Sequence, residues 1–252
     1  KLDKGFETFM QQEDLNVSLV GVCDLFDVRA EQGIDASRNE VRPGGKPLES
    51  ATRYRHHEEL LQNDKIDAVI IATPDHWHAQ IAMDAANAGK HVYCEKGLTR
   101  TFDEAIDLYD TVQRTGITFQ LGHQNRQVEA NEKAKAIIKQ GLLGDINLVE
   151  LATNRNSPSG AWVWDIHPEG NSKTIDWDTF QKPAPNKIEF GEEALKRFFR
   201  WRCWFDYGTG LSGDLLSHDF DAINQIMDLG IPKYASSSGG IYYYKDGRDV
   251  PD

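Results

Sequence analysis

Asp214-Leu215-Leu216-Ser217-His218 places an acid and a histidine four residues apart, on one face of a helix and one turn from each other. Histidine titrates near neutrality, so it can take a proton from a hydroxyl while hydride leaves the same carbon, with the acid orienting it or binding the substrate. The same spacing also serves an ordinary surface pair. Glu95-Lys96 directly follows the strand-like run Lys90 to Cys94. A lysine at a strand end beside an acid reaches a partly desolvated crevice and can donate a proton or a hydrogen bond. A bare Glu-Lys pair is common on surfaces, so its value depends on that position. Asp24 closes the apolar run Val17 to Cys23, where a carboxylate can accept hydrogen bonds from both hydroxyls of an adenosine ribose. Such an acid disfavours a 2'-phosphate, although Arg29 is near enough in sequence to compensate.

These residues need elements to carry them. Val17–Asp24, Ile66–Ala72, Lys90–Cys94 and Thr118–Gly122 read as short buried strands. Between them, a short helix is expected around Glu58 to Gln62, another over His76 to Ala88 stopped by Gly89, and a third from Thr101, with a threonine cap and acids in its first turn, to Gly116. A further helix is expected over Leu2 to Met10. This alternation predicts a doubly wound parallel sheet of Rossmann type. Its usual opening strand and Gly-rich turn are missing, and the chain reads as truncated at both ends. After Gly122 the rhythm changes to a helix (Asn131–Gln140), a strand (Ile146–Thr153), a Trp-rich polar stretch (Asn154–Phe205), a helix (Asp214–Leu229) and a strand (Gly240–Tyr244). A domain boundary is therefore expected near residue 122, giving a dinucleotide-binding domain over 1–122 and an incomplete second domain over 123–252.

Ala72-Thr73-Pro74-Asp75-His76-Trp77-His78 turns the chain at a strand's carboxyl end, where open α/β sheets bind ligands. His76 and His78 have no third ligand at a suitable spacing, so no metal site is expected. Cys23, Cys94 and Cys203 show no C-x-x-C spacing and suit a reducing compartment, read here as the cytoplasm, with an exported form left open; Cys23 and Cys94 suit small core positions at strand ends. Trp162, Trp164, Trp177, Trp201, Trp204, Phe205 and Tyr207, mixed with Arg197, Arg200 and Arg202, suit either a sugar platform or burial against the sheet or a second subunit. The 252 residues carry a net charge of −12, which disfavours nucleic acid and anionic lipid, and no stretch is apolar enough to span a membrane.

Ala72 to His78, Ala88 to Lys96, Gly122-His123-Gln124-Asn125-Arg126, and Gly213-Asp214 through His218-Asp219-Phe220-Asp221 resemble, in this order, the Gfo/Idh/MocA oxidoreductases. The resemblance implies a Rossmann domain followed by an α+β domain with an open, mostly antiparallel sheet that often mediates homo-oligomers. It implies NAD, with NADP possible, and a sugar, cyclitol or related polyol as substrate. Carried over residue by residue, Lys96, His218 and Asp214 surround the substrate. Thr73, Pro74, His78, Glu95, Lys96 and Gln124 line the dinucleotide, with Asp24 at the ribose. The family's usual proline after Glu-Lys is Gly97 here, which predicts a looser backbone at Lys96. NAD-dependent glycosidases share this fold, so internal recycling of the cofactor is an alternative, as is a non-catalytic binding or scaffold homologue.

Overall fold

The computed structural model describes residues 17–38, 49–153, 157–158 and 160–252. The helix expected at Leu2–Met10 and the polar stretch Arg42–Pro47 lie outside them. In chain order the first half runs β1 (Gly21–Cys23), α1 (Asp27–Ser37), β2 (Thr52–Tyr54), α2 (His57–Leu61), β3 (Ala68–Ile71), α3 (Asp75–Asn87), β4 (His91–Glu95), α4 (Phe102–Thr115) and β5 (Phe119–Gly122). Every pairing between these strands is parallel, because each crossover carries a helix or a long connection. β1 pairs with β2, Gly21 opposite Thr52. The larger piece has the order β3-β4-β5, with Ile71 opposite Cys94 and Glu95 opposite Gly122, so the carboxyl ends of its strands lie side by side. α1 and β2 were not legible beforehand; the other elements fall within a few residues of expectation.

Local chemistry explains the best-defined helix. Thr101 Oγ1 accepts from the Glu104 amide while the Glu104 carboxylate accepts from the Thr101 and Arg100 amides, a reciprocal cap that satisfies otherwise unpaired donors. Gly116, at φ 68°, ends the helix in the left-handed conformation, its amide donating to Val112 O. Leu108 of α4 then packs with Ile71, Ala82, Ala85, Val92 and Cys94. Ala82 and Ala85 are fully buried, which lets α3 lie close against the strands. Each large apolar side chain buried here contributes about 1.5–3 kcal/mol.

The second half contains α5 (Glu129–Lys139), α6 (Trp177–Phe180), α7 (Glu192–Phe199) and α8 (Ser217–Met227). Its core is aromatic: Trp162, Trp177, Phe180, Phe198, Phe199, Trp201, Trp204 and Tyr207 are all buried together. Of the aromatic cluster expected from sequence, burial therefore accounts for five members, while Trp164 and Phe205 stay half exposed. Phe26, at the start of α1, joins this core, edge-on to Phe199 at 5.5 Å. An antiparallel bridge between Phe26 and Ile175 ties the two halves, with Asp27 N donating to Thr174 O and Asp176 N to Leu25 O.

Two expectations are corrected. Among the described residues, Ile146–Thr153 and Gly240–Tyr244 form no strand, and the open antiparallel sheet is not built. Strands exist only by pairing, and two isolated candidates fall short of the three needed for a self-supporting sheet; Leu148, Val149, Leu151 and Tyr242 are correspondingly exposed. The helix expected over Asp214–Leu229 begins instead as a π-helical turn over Ser212–Leu216 before continuing as α8.

Candidate active site

The site is assembled at the carboxyl ends of β3, β4 and β5, where the parallel ladder leaves its turns. Lys96 follows β4 directly, and its side chain crosses to the second half. There Nζ donates to Asp214 Oδ1 at 2.5 Å and also to the Asp214 backbone carbonyl. Two acceptors leave one of the three ammonium hydrogens for another partner. Asp214 Oδ1 additionally accepts from Arg202 Nε at 2.9 Å, and Oδ2 accepts from Trp162 Nε1 at 3.0 Å. Burial pushes the Asp214 carboxyl up, but Arg202 and then Lys96 outweigh it and hold the group below the usual carboxylate range. It is a carboxylate at neutral pH.

The expected Asp214–His218 couple takes a different form. Because Asp214 lies in the wide π turn, the simple one-turn relation is lost, and both its oxygens are committed to Lys96, Arg202 and Trp162. His218 faces His123 instead, ring edge to face at 5.5 Å. Nδ1 of each ring is buried with no protein partner. Burial and then the Lys96 charge hold His218 below the ordinary histidine value, against the opposing pull of Asp214. Burial lowers His123 as well, with His218, Arg126 and Lys96 adding to it and Asp221 opposing. Arg126 grips Asp221 through Nε at 2.8 Å and 2.9 Å to the two carboxylate oxygens, which pins the turn after β5 to α8.

The turns that flank this cluster contain the other expected residues. Thr73 follows β3, and its Oγ1 is buried without a partner. His78 is almost fully buried, with Nδ1 at 2.9 Å from Gly97 O and Nε2 at 2.7 Å from Thr73 O. Both ring nitrogens thus face backbone carbonyls, and His78 ties two turns together. Gly97 is correspondingly held, not loose. Glu95 ends β4 opposite Gly122 of β5: a Cβ on Gly122 would stand 3.1 Å from Glu95 Oε2 and 2.9 Å from Tyr93 Oη, which explains glycine there. Pro74 precedes α3, and Gln124 opens a 3-10 turn after β5. Asp24 stands past the end of β1, on the separate two-stranded piece. Its Oδ1 accepts from Phe26 N at 2.8 Å, and burial raises its carboxyl despite Arg29 and Arg53. The structure groups Lys96, Asp214 and His218, with Glu95 and His123 beside them; it places Asp24 on a different strand pair.

Sequence reasoning missed Arg202, Trp162 and Asp75 as members of this network. His123 stood inside a quoted motif without a role. Asp75 is buried at the first position of α3, accepts from Thr209 Oγ1 at 2.7 Å, and is raised by burial, with Asp214 adding to the shift. Among the described residues no cluster of three metal-ligating side chains occurs. Burial raises the Cys94 thiol to about 12 and the Cys203 thiol to about 11, so neither is a nucleophile.

Comparison with known proteins follows the same lines. Residues 7–123 match the family model described as an oxidoreductase family with an NAD-binding Rossmann fold. A levoglucosan dehydrogenase from Pseudarthrobacter phenanthrenivorans is 30% identical over 72% of this chain and 40% of its own length. An alpha-N-acetylgalactosaminidase from Shewanella oneidensis is 29% identical over 85% of this chain and 46% of its own. The chain thus spans less than half the length of either relative. The WlbA dehydrogenase from Bordetella pertussis, solved with NADH and UDP-GlcNAcA, shares the fold with a TM-score of 0.61 at 20% identity, over 89% of this chain and 52% of that one. With its parallel strands, its Glu95-Lys96 turn and the match of the family model, the segment 7–123 belongs to the NAD-binding domain of the Gfo/Idh/MocA oxidoreductases.

Proposed function

We propose that this chain carries the site of an NAD(P)-dependent oxidoreductase acting at a hydroxyl or carbonyl carbon of a sugar, cyclitol or related polyol. The observation that supports it most is the crossing of Lys96 from β4 onto Asp214 of the second half, beside a pair of histidines with unpartnered ring nitrogens. The remaining Lys96 hydrogen donates to the substrate oxygen, and the fixed ammonium stabilises negative charge developing there. His218, kept neutral by burial and by Lys96, accepts the hydroxyl proton. Asp214 holds Lys96 in place and keeps it from swinging into solvent.

Asp24 at a ribose, with Thr73, Pro74, Glu95, Lys96 and Gln124 along the β3, β4 and β5 turns and His78 bracing two of them, would hold the dinucleotide. The unpartnered Thr73 hydroxyl fits such a ligand. When bound, the nicotinamide supplies the hydride acceptor. Asp24 favours NAD over NADP. This reading divides the chain into a dinucleotide-binding part over 1–122 and a substrate-binding part over 123–252, with the exposed Ile231, Tyr234 and Tyr242 covered in a homo-oligomer. Three free cysteines fit a reducing, cytoplasmic setting. No helix of the described residues is long and apolar enough to cross a membrane.

The test is spectroscopic: protein, NAD and a panel of sugars and cyclitols should generate NADH absorbance. Bound cofactor without NADH on any member would overturn the dehydrogenase reading. The match to the Shewanella glycosidase favours one second reading, in which the cofactor is recycled within a turnover. Sugar released from an aryl glycoside without net NADH would identify it.

A further inference from the structure

We infer that Thr209 is the positioning residue of the Lys96–Asp214 pair, a wedge that fixes both backbones at once; this rests on the pair being the reactive centre proposed above. Each member of the pair has a glycine as neighbour: Gly97 follows Lys96 and Gly213 precedes Asp214. The two are far apart in sequence, yet the same side chain fills the space beside both. A Cβ on Gly213 would lie 2.0 Å from Thr209 Oγ1 and 2.3 Å from Thr209 Cβ. A Cβ on Gly97 would lie 3.1 Å from Thr209 Oγ1 and 3.3 Å from Asp75 Oδ2. Both glycines are thus vacated volumes that Thr209 occupies.

The wedge is itself anchored. Thr209 Oγ1 donates to Asp75 Oδ2 at 2.7 Å, and Asp75 is buried at the start of α3. The Asp75 segment is tied to the second half again by His76 N donating to Tyr207 O at 3.2 Å. Gly97 O faces His78 Nδ1 at 2.9 Å, so the turn that bears Lys96 is gripped from both sides. The consequence is mechanical. Without the Thr209 side chain the π turn at Ser212–Leu216 keeps its Arg202 and Trp162 anchors on the Asp214 carboxylate but loses the packing beside Gly213, which loosens the register that brings both the Asp214 carbonyl and carboxylate to Lys96 Nζ. Gly97 is explained by steric demand: a Cβ there would crowd both Thr209 Oγ1 and Asp75 Oδ2.

The experiment measures the acetylation rate of individual lysines by mass spectrometry after brief exposure to acetic anhydride, which needs neither cofactor nor substrate. Lys90 serves as the internal reference, being buried with Nζ donating to Asn63 O, remote from Thr209. Thr209→Gly should accelerate labelling of Lys96 about tenfold while Lys90 stays within about twofold of wild type. Thr209→Ser, which keeps the donor to Asp75, should stay within about twofold at both lysines. Unchanged Lys96 labelling in Thr209→Gly, or Lys96 and Lys90 rising in parallel, would overturn the assignment. The same variants assayed for NADH formation separate the two claims. A labelling contrast with no turnover on any sugar in wild type defeats the dehydrogenase reading and leaves the wedge standing. Turnover with no labelling contrast does the reverse.

Discussion

Replacing Asp214 by asparagine should expose how much of the join between the two halves rests on one carboxylate. The amide keeps the shape and one acceptor, but Lys96 Nζ and Arg202 Nε lose the charge they share. The Asp214 and Lys96 side chains are 7% and 13% exposed, so the stranded ammonium has little water to turn to. Arg202, at 32%, can swing outward. Removing one partner of a well-buried pair costs about 3–5 kcal/mol, and the escape of Arg202 places the expected loss near the lower end, about 3 kcal/mol. Lys96→Met should cost less, about 1–2 kcal/mol, because Asp214 retains Arg202 and Trp162. The double variant should fall short of the sum by about 1.5 kcal/mol. Urea unfolding at pH 7 supplies all three values, provided the slope is unchanged. The native Asp214 value is depressed, so its contribution is present above the unfolded carboxylate value of about 3.9 and is lost as pH falls from there through the native value. The gap between wild type and Asp214→Asn should therefore close only in strongly acidic solution. A single variant within about 0.5 kcal/mol of wild type at pH 7 would refute the buried pair.

Three further outcomes are expected. His76 is buried with Nε2 at 2.6 Å from Phe180 O, and burial lowers it to about 3, so the unfolded chain binds its proton first as pH falls below about 6.5. Between pH 6.5 and 5.5 wild type should lose about 1 kcal/mol more than His76→Gln, which keeps a donor for Phe180 O; parallel curves would contradict this. Thr101→Ala removes the reciprocal cap of α4 and should cost about 1 kcal/mol in urea unfolding, whereas an unchanged midpoint would mean the cap contributes nothing. Gly122→Ala places a methyl 3.1 Å from Glu95 Cα, and since backbone cannot give as the Tyr93 hydroxyl can, a loss of about 1–3 kcal/mol is expected; no loss of stability by thermal melt would show the β4–β5 contact to be looser.

What could be read from the chain, and what could not, divides by range of interaction. α4 was legible because Thr101, Glu104 and Gly116 act locally. β3 and β4 were legible because a strand covered on both faces is a continuous apolar run. Lys96, Asp214 and His218 came from helical spacing and a strand-end position, supported by the motif resemblance, and the fold brings them together. Arg202 and Trp162 left no local trace: their partner Asp214 is 12 and 52 residues away, and nothing in an Arg or Trp announces which carboxylate it will meet. Thr209 and Asp75 meet across 134 residues. β2 escaped notice because three residues that pair only with β1 are too short for a period to show. The antiparallel sheet was expected from the family resemblance, and nothing within Ile146–Thr153 or Gly240–Tyr244 specifies the neighbour with which a strand would pair.

The wide turn at Ser212–Leu216 makes length, more than composition, the sensitive variable in this part of the chain. Excising the exposed Leu216 would let the backbone close into an uninterrupted 3.6-residue ladder, a locally more comfortable helix. The same excision would swing Asp214 by about 100° around the axis relative to His218, away from the ammonium it faces. Point substitutions here are graded in their effect, but a one-residue deletion is a change of phase: a tidier helix obtained by dismantling the centre it supports.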